Sequence, residues 1–196
     1  MILLATETRT AATFDTSAAI VRLLMLDTAK DHADLAAMIE RTGTDVGIDP
    51  YQTGRAEYWM IEVDGERVGY TGVHSIDFTS RRCRGIIWVA PEYRRQGIAT
   101  EAVRLRNNLL FDRWNMNRVE WAVSLDNQGS QLFSKSRSYA HHEGTLKEAV
   151  YYDGRYHDVA LYALTRRQRD LMLDKRNAFT NPGQGEAEMG GEEWRS

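Results

Sequence analysis

The sequence predicts an α/β domain, a mixed sheet with helices on both faces. Three observations predict it. Short runs rich in β-branched and aromatic residues alternate with segments whose apolar residues recur at helical spacing. Three consecutive strands in the middle of the chain form a meander, its first turn marked by Asp64-Gly65. A basic, glycine-containing loop then carries a strand directly into a helix.

The elements follow in order. Residues 1–18 mix Thr, Ala and Ser with few large apolar groups and read either as a loose arm or as a weakly marked first element. Ile20 to Leu26 is an apolar run of strand length, and Ala33, Leu35, Ala36, Met38 and Ile39 fit a helix capped by Asp27 or Thr28. Gly43, Gly47, Pro50 and Gly54 make 42–56 a loop, with room for one short helix. Tyr58 to Val63 is the first meander strand, Arg67 to about Phe78 the second and Arg81 to Val89 the third, ended by Pro91. Ile98, Ala102, Leu105, Leu109 and Leu110 then place a helix over about 98–113. Val119, Trp121 and Val123 alternate as in a short strand, and Asn127 to about Arg137 is a short helix. Two strands near 139–147 and 157–165 flank the turn Tyr152-Asp153-Gly154-Arg155, and a basic helix from Thr165 to Arg176 closes the fold. From Asn177 the chain is rich in Gly, Glu and Asn, with four Glu against one Arg, the composition of a disordered tail. The organisation expected is an arm at 1–18, one domain at 19–176 and an acidic tail at 177–196.

Composition narrows the function classes. With 196 residues the chain can bury a full single-domain core, and its 42% hydrophobic and 27% charged residues are ordinary for a soluble protein. The net charge of −3 supplies no general field for nucleic acid. Cys83 is the one cysteine, which excludes an internal disulfide framework and a cysteine-built zinc site and suits a reducing compartment. No apolar run reaches the roughly 18 to 20 residues of a membrane span, and Met1 to Ala5 is too short for a signal core, so a cytoplasmic protein is expected. His141 and His142 are adjacent on a strand and point to opposite faces, which argues against a metal site.

The chemistry concentrates in Val89-Ala90-Pro91-Glu92-Tyr93-Arg94-Arg95-Gln96-Gly97-Ile98-Ala99-Thr100-Glu101. A helix start leaves backbone N–H groups without internal partners, and the helix dipole adds positive charge there. Gly97 and Ala99 allow the backbone to approach a bulky pyrophosphate. Residues 81–113 hold eight Arg against three acidic residues, a local excess of +5. The plainer alternative is a capped helix with solvated arginines, and the strand–loop–helix context weighs against it.

Arg94-x-x-Gly97-x-Ala99 resembles the signature of the GNAT superfamily of N-acetyltransferases. Val68-Gly69-Tyr70-Thr71-Gly72, Trp88 to Tyr93, Asn127-x-x-Ser130, Glu143 to Lys147, Asp158 and Leu161-Tyr162-Ala163-Leu164 resemble its Rim-like branch, which includes ribosomal-protein N-terminal acetyltransferases; the resemblance covers about 19–165. It implies a mostly antiparallel sheet of six to seven strands with a central splay. It implies acetyl-CoA as co-substrate, with Trp88, Val89 and Ala90 against the pantetheine arm. Arg94, Arg95, Gln96, Gly97, Ile98, Ala99 and Thr100 would then hold the pyrophosphate, and Asn127, Ser130 and Phe133 would lie along the arm. The implied activity is acyl transfer to a primary amine, either a protein N-terminus or a small molecule, with no metal and no membrane partner. Dimers are common in the family, so a homodimer is compatible with it.

Such transfer needs an amine freed of its proton, a donor for the developing oxyanion and a proton or donor for the leaving thiolate. A backbone N–H near Val89 is the oxyanion candidate. Ser134 stands where many members carry the tyrosine that protonates the thiolate, and Arg84 where branch members often carry a glutamate. His74, Asp77 and Glu92 remain as candidates for the base, and His74 has the suitable intrinsic pKa. A half-buried, hydrogen-bonded strand residue is the competing reading for His74, a surface or capping residue for Glu92 and a strand end for Asp77. Ser136-Arg137-Ser138-Tyr139 departs from the Lys-Leu-Gly-Phe-like end usual in relatives. Tyr151, Tyr152 and Tyr156 read as packing groups of a hairpin ahead of acceptor-site residues. The absent tyrosine and glutamate motivate a second hypothesis, an inactive CoA-binding sensor or scaffold. A third, nucleic-acid contact through Arg166, Arg167, Arg169, Lys175 and Arg176, competes with a plain solvated helix face.

Overall fold

A computed structural model describes residues 10–15, 20–26, 29–42, 55–135 and 140–180. The elements are β1 (Thr10–Asp15), β2 (Ile20–Met25), α1 (Ala29–Thr42), β3 (Glu57–Val63), β4 (Glu66–Asp77), β5 (Arg82–Val89), α2 (Ile98–Asn108), β6 (Arg118–Ser124), α3 (Gln128–Lys135), β7 (His141–Tyr152), β8 (Arg155–Thr165) and α4 (Arg166–Thr180). The proposed caps Asp27 and Thr28, residues 43–54, the segment Ser136 to Tyr139 and residues 181–196 lie outside the described residues.

The eight strands form one sheet in the order β1-β2-β3-β4-β5-β6-β8-β7. That is one strand beyond the expected six to seven, because Thr10–Asp15, inside the segment read as an arm or weak element, pairs along β2. Every neighbouring pair is antiparallel except β5 and β6. The hairpins close as the Asp-Gly dipeptides direct. Asp64 and Gly65 have φ of 48° and 89°, Asp153 and Gly154 of 49° and 75°, the pair of positive values that matches a turn to the strand twist.

Alternation along the strands sends two apolar sets to opposite faces. Val21, Leu23, Trp59, Ile61, Val89 and Val119 pack under Ile98, Ala102 and Leu105 of α2. Leu24, Met60, Tyr70 and Trp88 pack with Leu35 of α1, and Tyr70 stacks on Trp88 at 5.9 Å. Arg67 of β4 fastens α1 by bonding the buried Asp31 at 2.5 Å and also Asp34.

The expected helix over about 98–113 keeps α geometry to Asn108 and widens into a π-helical turn at Leu109–Arg113. The basic C-terminal helix departs from the solvated face expected of it. Arg169 forks onto both oxygens of Asp112 at 2.6 Å, Arg166 donates to Met116 O at 2.9 Å and to Phe111 O, and both guanidinium groups lie over the Phe111 ring. α4 also runs past the expected boundary at Arg176, to Thr180.

Candidate active site

The site begins where β5 and β6 part. Their parallel pairing joins Arg82 to Arg118, Cys83 to Val119 and Arg84 to Glu120, and goes no further. β5 continues beside β4 to Val89, whereas β6 continues beside β8 to Ser124. A wedge therefore opens in the middle of the sheet, the splay expected from the family resemblance.

The direction of each peptide on β5 follows from its partners. Ile86 O accepts from Thr71 Oγ1 of β4 at 2.8 Å, a Cβ built on Gly69 of β4 would meet Trp88 O at 2.2 Å, and Ala90 N donates to Val68 O at 2.9 Å. Residues 86, 88 and 90 thus turn their backbone groups toward β4. By strand alternation, Ile87 and Val89 turn theirs toward the wedge. This shifts the expected set of Trp88, Val89 and Ala90. Trp88 and Ala90 spend their backbone on β4, and Trp88 buries its ring against Tyr70. Val89 stays on the open edge, and Ile87, which the sequence reading did not name, joins it.

Beyond β5 the chain makes a 3-10 turn at Pro91–Tyr93, tied to the first hairpin by Tyr93, whose hydroxyl donates to Glu66 at 2.5 Å. That bond to a carboxylate raises the Tyr93 hydroxyl above its ordinary value. Arg95 has φ 64° and Gly97 φ 82°, so two left-handed residues bend the loop into the start of α2. Gly97 is the N-cap and contributes no side chain; a Cβ there would meet nothing within 4 Å. The first helical bond is Glu101 N to Gly97 O, so the N–H groups of Ile98, Ala99 and Thr100 precede the helical ladder.

The charges around this loop are more engaged than their count suggests. Arg94 Nε folds back to Val89 O at 2.9 Å, Gln96 Nε2 donates to Glu92 O at 3.2 Å, Arg104 pairs with Glu101, and Arg84 faces Glu120 at 3.6 Å. Arg106 is buried beneath the sheet. Arg95 is exposed at the bend.

Across the wedge, α3 is capped by Asn127, whose Oδ1 accepts from Ser130 N at 3.0 Å. Gln131, also missed in the sequence, donates to the Val123 and Ser124 carbonyls at 3.3 Å and accepts from Tyr162 at 3.0 Å, fixing α3 to the splayed strand. Phe133 is half-buried. Ser134 is buried, and its Oγ accepts from Trp121 Nε1 at 3.0 Å. Trp121 is the first β6 residue beyond the last pair with β5, so this bond ties α3 to the splayed part of β6.

His74 and Glu92 lie at opposite ends of β5. His74 is buried opposite Arg84, with Nδ1 3.1 Å from Ser75 Oγ, at an irregularity where Ser75 has φ 49°. Glu92 is exposed on the 3-10 turn beyond the other end of β5. Arg84 to Ala90 spans six strand steps, about 20 Å. Asp77 caps its turn by accepting from Thr79 N and Ser80 N at 2.9 Å, which holds its carboxyl below the usual range. The hairpin tyrosines divide. Tyr151 and Tyr156 are exposed and in edge contact at 5.0 Å, whereas Tyr152 stacks on buried His157 at 3.6 Å and shares a 2.8 Å hydrogen bond with Ser124. His157 in turn bonds Asp126, at the start of the loop into α3. Among the described residues no group of three or more His, Cys, Asp or Glu is placed to hold a metal ion, and no helix is long and apolar enough to cross a membrane.

The model of the acetyltransferase (GNAT) family matches residues 37–139, from α1 through α3. The chain belongs to that family. It is 28% identical over 105 residues to the Bacillus subtilis (strain 168) protein named "Putative ribosomal N-acetyltransferase YdaF", a match covering 54% of this chain and 57% of that protein. It is 24% identical over 110 residues to the spermidine N(1)-acetyltransferase of Escherichia coli (strain K12), covering 56% and 59%. The chain thus spans under three fifths of the length of these curated relatives. Among solved structures, the RimL ribosomal L7/L12 alpha-N-protein acetyltransferase superposes with TM-score 0.64 at 20% identity, over 79% of this chain and 94% of that one. The Vibrio cholerae spermidine N-acetyltransferase in complex with CoA and spermine gives 0.62 at 16%, over 76% and 96%. At these identities the likeness is one of fold.

Proposed function

We propose that this GNAT-family chain transfers an acetyl group from acetyl-CoA to a primary amine, on a protein N-terminus or a small molecule. The observation that carries the reading is the open edge of β5 running straight into the left-handed bend before α2. The pantetheine arm of the donor carries amides, so it can add to an exposed strand edge as another strand would. Ile87 and Val89 supply that edge. The N–H groups of Ile98, Ala99 and Thr100 then meet the pyrophosphate, with Arg95 beside them. The Ile87 N–H doubles as donor to the oxyanion that forms when the amine attacks the thioester carbonyl. The neutral amine attacks, the C–N bond forms, the C–S bond breaks to release the CoA thiolate, and the proton lost from nitrogen ends, through water, on that thiolate, giving the amide and free CoA.

The base is not identified with His74 or Glu92, which sit at opposite ends of β5. Ser134 serves the thiolate only through its O–H, since its oxygen already accepts from Trp121. The names of the relatives supply the first acceptors to test, spermidine and a peptide with a free N-terminal amine. The experiment is titration calorimetry of acetyl-CoA, followed by thiol release with those amines. Micromolar binding with amine-dependent release supports the transferase. Binding without release for any amine in a broad panel supports the sensor or scaffold instead, and absence of binding ends both readings.

A further inference from the structure

We infer that Arg106 is a positioning residue for the acyl carbonyl: from beneath β5 its guanidinium polarises the Ile86–Ile87 peptide and strengthens the Ile87 N–H that faces the wedge. This rests on the acetyl-CoA reading above.

Arg106 occupies a position where the helix pattern calls for an apolar side chain, four residues after Ala102. It is 3% exposed. A charge so placed is expensive unless it is well bonded, and its partners are specific. Nη1 donates to Ile86 O at 2.9 Å and to Thr71 Oγ1 at 3.2 Å, while Nε and Nη2 donate to Asn107 Oδ1 at 3.3 and 3.1 Å. Thr71 Oγ1 donates a hydrogen bond to the same Ile86 O at 2.8 Å. Gly85 makes room for this: a Cβ there would lie 2.8–2.9 Å from the guanidinium.

The peptide so gripped lies just past the vertex of the wedge, where pairing of β5 with β6 ends at Arg84. Its carbonyl points to β4 and its N–H to the open edge. Positive charge at the oxygen draws electron density through the amide and makes the N–H the stronger donor, as hydrogen bonds in a chain strengthen one another. The gain falls where a thioester oxygen acquires charge, and the donor is fixed before the reaction begins.

The test uses the full chain as wild type, Arg106→Gln, Arg106→Lys and Thr71→Val. Three quantities are read: the Ile87 amide proton shift without ligand, the carbonyl stretch of bound acetyl-CoA labelled with carbon-13 at C1, and the acetyl-CoA Kd. Arg106→Gln keeps a donor and removes the charge. The expected result is an upfield move of the Ile87 proton and a return of the bound stretch toward its solution frequency, with Kd changed by less than about threefold, because the ground-state carbonyl carries little charge and the effect is largest in the transition state. Arg106→Lys restores most of both signals, and Thr71→Val moves them less but in the same sense. A purely structural role would alter Kd or folding and leave both signals in place. Folded Arg106→Gln that binds acetyl-CoA with wild-type stretch and Ile87 shift overturns the inference and leaves the transferase reading standing. If wild type does not bind acetyl-CoA, the transferase reading is what fails, and the Ile87 shift alone still decides whether the peptide is polarised. Should Arg106→Gln not fold, Arg106→Met, which also removes the charge and brings no buried amide to satisfy, is read in the same way, and unchanged signals in it overturn the inference.

Discussion

Replacing Gly97 by alanine separates the cost of a backbone conformation from the loss of a binding surface. Gly97 holds φ 82° at the N-cap of α2, and a Cβ there meets nothing within 4 Å. The folding penalty is therefore conformational alone, about 1–2 kcal/mol for an L-residue in the left-handed region. For a chain of this size that lowers Tm by about 2–8 °C. The new methyl stands in the open space through which a phosphate would reach the N–H groups of Ile98 and Ala99. CoA affinity is expected to fall at least tenfold, about 1.4 kcal/mol. Gly154→Ala is the matched control, since Gly154 has φ 75°, equally open surroundings and a place on the β7–β8 turn instead of the loop before α2. Calorimetric unfolding without ligand and titration with CoA on both variants give the four numbers required. Similar Tm losses with a CoA defect confined to Gly97→Ala are expected. Wild-type affinity in Gly97→Ala, or an equal defect in Gly154→Ala, refutes the cradle.

Asn127→Ala removes the α3 cap, so about 1 kcal/mol of stability is expected to go, read by chemical denaturation, and Asn127→Asp should recover most of it. Arg169→Ala breaks the fork onto Asp112 and the stacking on Phe111; a loss of about 1–3 kcal/mol is expected, with protease cleavage within α4 appearing before cleavage of the sheet. Cys83 is buried, and burial pushes its thiol up to about 11. Only the thiolate reacts, so native-state alkylation is slow at pH 7 and its rate rises about tenfold per pH unit until the thiol titrates; fast labelling at pH 7 would contradict the packing. Glu143, Asp158 and Asp77 are all held below their ordinary range, by Arg118, Lys147 and turn N–H groups respectively. The folded state then binds fewer protons than the unfolded one, so stability is full above about pH 5 and is lost as the pH falls through the unfolded and then the depressed folded values, measurable as Tm against pH.

The meander, the α2 segment and both Asp-Gly hairpins were legible because each rests on neighbours in the chain, whether turn chemistry or an apolar face repeating within one element. The strand Thr10–Asp15 was weakly marked because its place depends on pairing with β2, a partner outside its own segment. The bend before α2 was legible for the same reason as the hairpins, since Gly97 announces a left-handed conformation wherever the chain goes next. The sequence did not show that the Trp88 backbone faces β4. Which edge of a strand a peptide faces is set by its bonds to β4, and no spacing rule reports that. Arg106 did leave a trace, a charge on the apolar face of a helix, yet its meaning needed Gly85 and Thr71 from two other strands. The solvated face expected of α4 misled because a fork onto Asp112 and a ring beneath the guanidinium lie more than fifty residues back in the chain.

The sequence by itself determined the order of elements and marked the bend before α2, because both are written in local spacing, and the motif at that bend carried the family resemblance. Only the tertiary structure decided where β5 and β6 part, which peptides face the gap, and that His74 and Glu92 lie at opposite ends of β5. Those depend on register between strands distant in the chain and on which buried groups satisfy one another's hydrogen bonds, and both are settled only when the sheet closes around its core.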